Sequence, residues 1–301
     1  MRILHLSDIH VWRYSWNPRH LLGRRLFRTI ELLGGRANLF DLLRLDEVIA
    51  RAADLRPDHV LITGDLTTMA MSSEFREARR RLAPLLGDPS RATVLPGNHD
   101  RTTGYSAYSR RFERFFGAFQ PAPDFPWLRW LDDDTAILGL DPTRPRVTAK
   151  GKIPDRQLAA ARQLLENPAT RPRRPIIACH YPAAAPSPLD IELARKRMVN
   201  QAAVRRWLGG IGPHLYCCGH VHAAWAFHPE SIPGELCLNS GAPLQKDPSG
   251  LRPPGFLEIV LDDRCVSVTH HAWEHGGWSA RPLVIDPAFF PPSPAVDTRR
   301  A

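Results

Sequence analysis

The sequence predicts an α/β protein built on mixed β-sheet. Short apolar runs alternate with amphipathic helical stretches along most of the chain, and a succession of strand-like runs follows near the C-terminus. Alternation of this kind indicates parallel strands with helical crossovers, and a late series of strands adds an antiparallel part. In addition, five of the apolar runs end in Asp, Asn or His side chains. In open α/β sheets, binding sites lie beyond the carboxyl ends of the strands, so these five ends are expected to converge.

The first run, residues 2–7, leads into Asp8-Ile9-His10. An insertion follows from about 12 to 45. Within its residues 19–36, Leu21, Leu22, Leu26, Ile30 and Leu33 recur at helical spacing beside Arg24, Arg25 and Arg28. Such a basic amphipathic helix either packs its stripe on the domain or lies on an anionic membrane surface. Residues 45–55 read as the helix that returns to a second strand, 59–63, which ends at Gly64-Asp65. A capped amphipathic helix is expected over 72–86, with Ser72, Ser73 and Glu74 at its start. A strand over 92–96 then precedes Gly97-Asn98-His99-Asp100, and a helix over 106–116 follows.

Residues 120–134 are rich in Pro and Trp and read as a loop in which Trp127 and Trp130 pack. Strands are expected over 135–140, ending at Asp141, over 175–179, ending at His180, and over 214–218, ending at Gly219-His220-Val221-His222. Helices are expected over 154–165 and 190–208. Three further strands, 235–239, 256–261 and 266–270, complete a domain of residues 1–285. The Pro-rich residues 286–301 lack periodicity and read as a tail. Asn239-Ser240-Gly241-Ala242-Pro243 is a candidate loop beside the convergent ends.

The chain has 301 residues, 43% hydrophobic and 24% charged, which suits a globular domain. No apolar run is long enough for a membrane span. Met1-Arg2 leads straight into the first strand, so a cytoplasmic protein is expected, with peripheral contact at the inner membrane face through the insertion. The five cysteines form no C-x-x-C pair and sit in apolar runs, where cysteine acts as a small hydrophobe. A net charge of +9 favours an anionic partner without choosing one.

At the strand ends stand three carboxylates (Asp8, Asp65, Asp100), five imidazoles (His10, His99, His180, His220, His222) and the Asn98 carboxamide. Oxygen and imidazole donors without thiolate suit Mn, Fe, Zn or Co. Nine donors exceed the needs of one ion, so two ions are expected. A pair about 3.5–4 Å apart can share a hydroxide and clamp an in-line phosphoryl displacement. His5, His20, His270, His271 and His275 lie outside these blocks and read as structural or exposed.

The order D-x-H, G-D, G-N-H-D, H, G-H-x-H resembles the calcineurin-like metallophosphoesterases. Residues 4–10, 62–67 and 94–100 look most similar to the small bacterial cyclic-nucleotide phosphodiesterases. The resemblance implies a four-layer sandwich: two mixed β-sheets flanked by helices, with a dinuclear metal site at the strand ends. It implies Asp8, His10 and His222 as ligands of a first ion, Asp65 as the bridge, and Asn98, His180 and His220 as ligands of a second. His99 is implied to contact the phosphate and protonate the leaving group, with Asp100 as its orienting partner.

Departures from other branches narrow the substrate. Protein Ser/Thr phosphatases carry Arg-Gly after their second block and Glu after G-N-H, whereas this chain reads Gly64-Asp65-Leu66-Thr67-Thr68 and has Asp100 as the fourth residue. Thr68 also replaces the tyrosine ligand of purple acid phosphatases. His99 stands where UDP-diacylglucosamine hydrolases have arginine. The expectation is a hydrolase of a small phosphodiester or nucleotide-like substrate, with no specific nucleic-acid binding. A pyrophosphohydrolase or phosphodiesterase of a lipid-linked substrate at the membrane surface is the alternative, and a non-enzymatic scaffold the least favoured.

Overall fold

The computed structural model describes residues 1–14, 26, 29–30, 33–35, 39–144, 150–247 and 249–291. Two six-stranded sheets face each other. Strands β1 (Arg2–Leu6), β2 (His59–Ile62) and β3 (Ala92–Val94) are parallel neighbours in the first. In the second, β4 (Trp127–Trp130) is an antiparallel edge on β5 (Thr135–Leu140), and β5, β6 (Arg174–Cys179), β7 (His214–Cys218) and β9 (Glu235–Ser240) run parallel. The short β8 (Ala224–Phe227) closes its other edge. The first sheet is completed by antiparallel β10 (Gly255–Asp262), β11 (Cys265–Glu274) and β12 (Gly277–Asp286).

Alternate residues of the buried strands serve different layers, as the period of two requires. Ile3, Leu61, Ile176, Ala178, Leu215 and Cys217 fill the core between the sheets. Leu4, Leu6, Val60 and Ile62 face outward onto helices α1 (Leu45–Asp54) and α2 (Ser72–Arg81). On the other side Ile177, Cys179, Tyr216 and Cys218 meet later helices. The layers are therefore helix, sheet, sheet, helix, as the resemblance implied.

Each helix docks by a stripe. In α1, Leu45, Val48, Ile49 and Ala52 are buried at spacings of three and four. The start of α2 is held by Glu74, whose carboxylate accepts from the Met69 and Met71 amides at 3.0 Å each.

Several boundaries differ from the sequence expectation. The helix expected over 106–116 is two short ones, α3 (Gly104–Tyr108) and α4 (Arg111–Phe116), because Arg110 adopts φ 47°. After α5 (Asp155–Glu166), the stretch 190–208 is likewise broken into α6 (Leu189–Lys196) and α7 (Gln201–Leu208). Trp127 and Trp130 lie on β4 and not in a loop, with Trp127 packed into the central core. Nor does the chain leave the domain at 286. Phe290 is 1% exposed, and its amide donates to the Arg264 carbonyl at 3.2 Å, so the tail stays docked at least to that residue. Most of the expected helix 19–36, including Leu21, Leu22, Arg24, Arg25 and Arg28, lies outside the described residues, as do 292–301.

Candidate metal centre

Nine expected side chains sit at the carboxyl ends of β1, β2, β3, β6 and β7, two sheets contributing to one place. The backbone that aims them is unusual. Asp8, His10, Asp65, His220 and His222 all have φ between 53° and 75°, in the left-handed region. For a non-glycine residue this costs on the order of 1–3 kcal/mol, and such strain gathers at functional sites. The loops are tied by the Asp8 amide to the Gly64 carbonyl (3.0 Å) and the His10 amide to the Asp65 carbonyl (2.9 Å). Glycine is needed where the loops touch. A Cβ on Gly97 would overlap the Asp65 carboxylate, and one on Gly219 would overlap Ser7 and Asp8.

Two groups of donors result. In one, His222 Nε2 lies 3.1 Å from His10 Nε2 and 3.2 Å from an oxygen of Asp8. In the other, His180 Nε2 lies 3.3 Å from Asp65 and 3.2 Å from the Asn98 carboxamide oxygen, and His220 completes the set. Asp65 also stands 3.8 Å from His10, which places it between the groups.

Hydrogen bonds on the far side of three of the rings fix how each is turned. His180 Nδ1 faces the Thr63 carbonyl at 2.8 Å, and His222 Nδ1 faces the Gln245 side-chain oxygen at 2.5 Å. Both donate there, which turns both Nε2 atoms to the centre. His220 is turned the other way: its Nε2 faces the Lys196 carbonyl at 3.2 Å, leaving Nδ1 as the inward donor. Nitrogen and carboxylate donor atoms thus crowd together, and the inner oxygen of Asp8 is buried with no hydrogen-bond partner. A cation resolves this crowding. The residues present therefore fit two metal ions.

Electrostatics point the same way. Burial pushes the His180 imidazole down, but the Asp65 carboxylate outweighs it and draws the ring up to about 9. Burial and the neighbouring His99 hold His10 well below the ordinary imidazole range, and burial with His180 lowers His220 to about 3. Burial alone would raise Asp8 and Asp65, yet the surrounding histidines keep both below the usual carboxylate range. The centre draws positive charge onto His180 while keeping His10 and His220 neutral, as metal ligands must be.

His99 lies beside both groups. Its amide donates to Asp65 (2.7 Å), and its Nδ1 faces the Thr68 carbonyl at 2.8 Å. Asp100 does not orient it, contrary to the sequence expectation. Its carboxylate accepts from the Thr67 amide and hydroxyl (2.9 Å each), the Gly97 amide (2.9 Å) and the Leu66 amide (3.2 Å). It staples the β2 loop to the β3 loop instead. Burial, with Asp65 adding, raises its carboxyl to about 7. Asp141 is equally structural, paired with Arg101 at 3.1 Å. Asn239 is buried and donates to the Gly219 carbonyl at 2.6 Å, which secures the G-H-x-H turn.

Five contributors went unseen in the sequence: Gln245, Phe40, and the carbonyls of Thr63, Thr68 and Lys196. Backbone carbonyls leave no compositional trace. The Phe40 ring lies 4.8 Å from that of His10, brought there by a bridge between Phe40 and Gln245 across the chain.

A sandwich of two sheets with two groups of nitrogen and oxygen donors at its strand ends defines a metal-dependent phosphoesterase. The chain belongs to the calcineurin-like phosphoesterase family, whose pattern matches residues 1–224, and is a hydrolase of phosphoester bonds. A cAMP/cGMP dual specificity phosphodiesterase of Mycobacterium tuberculosis is 28% identical over 244 residues, covering 78% of this chain and 67% of that protein. A probable cyclic nucleotide phosphodiesterase of Rhodococcus erythropolis is 29% identical over 203 residues, covering 64% of this chain and 63% of that protein. The chain thus spans about two thirds of the length of these relatives. Among solved structures, a dimetal phosphatase from Danio rerio shares the fold with a TM-score of 0.58 at 14% identity, covering 94% of this chain and 99% of that one. Purple acid phosphatase from yellow lupin also scores 0.58, at 11% identity, covering 93% of this chain and 52% of its own.

Proposed function

We propose that this protein is a two-metal phosphodiesterase acting on a small phosphodiester of the cyclic-nucleotide class. The observation that carries the two-metal part is the crowding of donor atoms in two buried clusters, Asp8, His10 and His222 in one and Asp65, His180 and His220 in the other. The substrate class is supported by the two bacterial relatives named as cyclic-nucleotide phosphodiesterases.

In this reading Asp8, His10 and His222 hold one ion, Asn98, His180 and His220 the other, and Asp65 lies between. The bound ions, of the Mn, Fe, Zn or Co type, supply a nucleophile near neutral pH and neutralise phosphoryl charge. The side chains do the rest. Asn98 adds an oxygen donor without adding charge, which keeps the centre attractive to an anion. His99, with Nδ1–H fixed on the Thr68 carbonyl, would act as an imidazolium whose second proton, at Nε2, passes to the departing alkoxide and leaves the ring neutral. Asp100 holds the two loops that carry Asp65 and His99 in register.

The test is hydrolysis by the Mn-loaded protein of bis-p-nitrophenyl phosphate, cyclic AMP, a nucleoside diphosphate sugar and a phospholipid. Turnover of the first two and not the others is the expected result. Preference for the diphosphate sugar or phospholipid would overturn the substrate class.

A second reading is favoured by one feature of the insertion. Leu26, Ile30 and Leu33 are helical and 42%, 56% and 58% exposed, and Leu43 is 87% exposed. A helix presenting its leucines outward within an arginine-rich stretch suits the surface of an anionic membrane and a lipid-linked substrate. No helix among the described residues is long and apolar enough to cross a membrane, and the proposed location is the cytoplasm or its membrane face. Sedimentation with anionic liposomes, weakened by salt and by neutralising Arg24, Arg25 and Arg28, is the expected result on this reading. No sedimentation at low salt would remove it.

A further inference from the structure

Three imidazoles of the centre are oriented by main-chain carbonyls: His180 by Thr63, His220 by Lys196 and His99 by Thr68. His222 is different. Its Nδ1 meets a side chain, the Gln245 carboxamide oxygen, at 2.5 Å. A main-chain carbonyl is fixed by the fold, whereas a side-chain acceptor can be changed one residue at a time without moving the backbone.

The placement of Gln245 is not left to chance. It forms an antiparallel bridge with Phe40, flanked by the Lys246 amide to the Leu39 carbonyl (2.7 Å) and the Asp41 amide to the Leu244 carbonyl (2.8 Å). Its own amide donates to the Ala242 carbonyl at 3.2 Å. The end of the insertion and the loop after β9 therefore form a clasp over the first group of donors. From it the Phe40 ring covers His10 while Gln245 fixes His222.

We infer that Gln245 is a positioning residue for the ion held by Asp8, His10 and His222. By accepting the Nδ1 proton it selects the tautomer whose Nε2 lone pair points inward. Without that acceptor either nitrogen can carry the proton, and the ring can rotate. The partner is an amide and not a carboxylate, so it orients the ring without adding negative charge behind it. Among the described residues the side chain of Gln245 bonds to His222 and to none of the other group of donors, so the effect is confined to one ion. The inference rests on the two-metal reading above.

The experiment is calorimetric titration of the metal-free protein with Mn²⁺, comparing wild type with Gln245→Met and Gln245→Glu, alongside melting of each metal-free chain. Loss of an oriented partner to a metal-binding histidine costs about tenfold to hundredfold in affinity. Gln245→Met is expected to weaken one of two sites by that factor and leave the other unchanged, with the metal-free melting temperature unmoved. Gln245→Glu, which keeps an acceptor, is expected to restore the weakened site to wild-type affinity or tighter. Equal affinity in all three proteins would overturn the inference while leaving the two-metal reading standing. Equal weakening of both sites, a lowered melting temperature of metal-free Gln245→Met, or failure of Gln245→Glu to restore binding would overturn it in favour of a packing role. Wild type that binds no Mn²⁺ would overturn both.

Discussion

His99 differs from the other imidazoles in what its neighbours leave it to do. Its amide is held by Asp65 and its Nδ1 by a carbonyl, so the ring is placed within the centre and Nε2 is the nitrogen at which a second proton is taken up and delivered. General acid assistance is worth on the order of 10²–10⁴ in rate. His99→Ala is therefore expected to retain its metal content while slowing alkoxide-leaving diesters by that order. Esters of p-nitrophenol, whose leaving group needs little protonation, are expected to slow less. Metal analysis and paired rate measurements check this, and equal losses on both substrates would contradict an acid role. Asp100 makes a contrasting case. It accepts hydrogen bonds from four donors on two loops, so Asp100→Asn turns an N–H toward other N–H groups. A cost of about 1–3 kcal/mol in stability is expected, read by denaturant melting of the metal-free chain, together with weaker metal binding.

Among elements, the strand ends and not the helices define the centre. Five donor residues adopt left-handed backbone, and two glycines allow the loops to meet. Gly97→Ala forces a methyl group against the Asp65 carboxylate, and overpacking of this kind costs about 1–3 kcal/mol. The expected outcome is reduced metal content with little change in far-ultraviolet circular dichroism. An alanine variant with wild-type metal content would show that the loop relaxes and that the close approach is not needed.

The buried strands were legible because they are short and apolar and end in unusual residues. β5 runs over the expected residues 135–140. β4, β8 and β12 were not foreseen. β4 and β8 are four-residue edges, and β12 carries Arg281, Pro282 and alternating exposed positions with no apolar period. The helix expected over 190–208 breaks after Lys196, where Arg197 is extended and the Lys196 carbonyl meets His220, a distant partner that local periodicity does not report. The convergence of the donors could be anticipated from their order. The orienting role of Thr68, in place of Asp100, could not, because it depends on how two loops cross.

At the scale of the whole molecule, three apolar layers enclose histidines kept neutral far from the centre. His59 is bonded to Thr93 at 2.8 Å, and burial, with Arg129 and Arg91 nearby, lowers it to about 3. Burial likewise lowers His270 to about 4. A histidine whose folded pKa is depressed binds its proton more readily when unfolded. Stability is then fully present above the unfolded value near 6.5 and falls as the pH drops toward these lowered values. The metal-free protein is expected to melt at lower temperature as pH falls from 7 to 4, and His59→Gln, which can keep the Thr93 bond, to show a shallower decline. Parallel declines would contradict the assignment.

Two sets of donors joined by Asp65 are proposed to hold two ions on which hydrolysis depends. Metal analysis of the Mn-loaded protein and of Asp65→Ala, with hydrolysis measured on both, tests this. Two ions per chain in the wild type, with loss of most metal and nearly all hydrolysis in the variant, is the result expected of a bridging carboxylate. Only stray occupancy in the wild type, or an Asp65→Ala protein that keeps its metal and its activity, would contradict it.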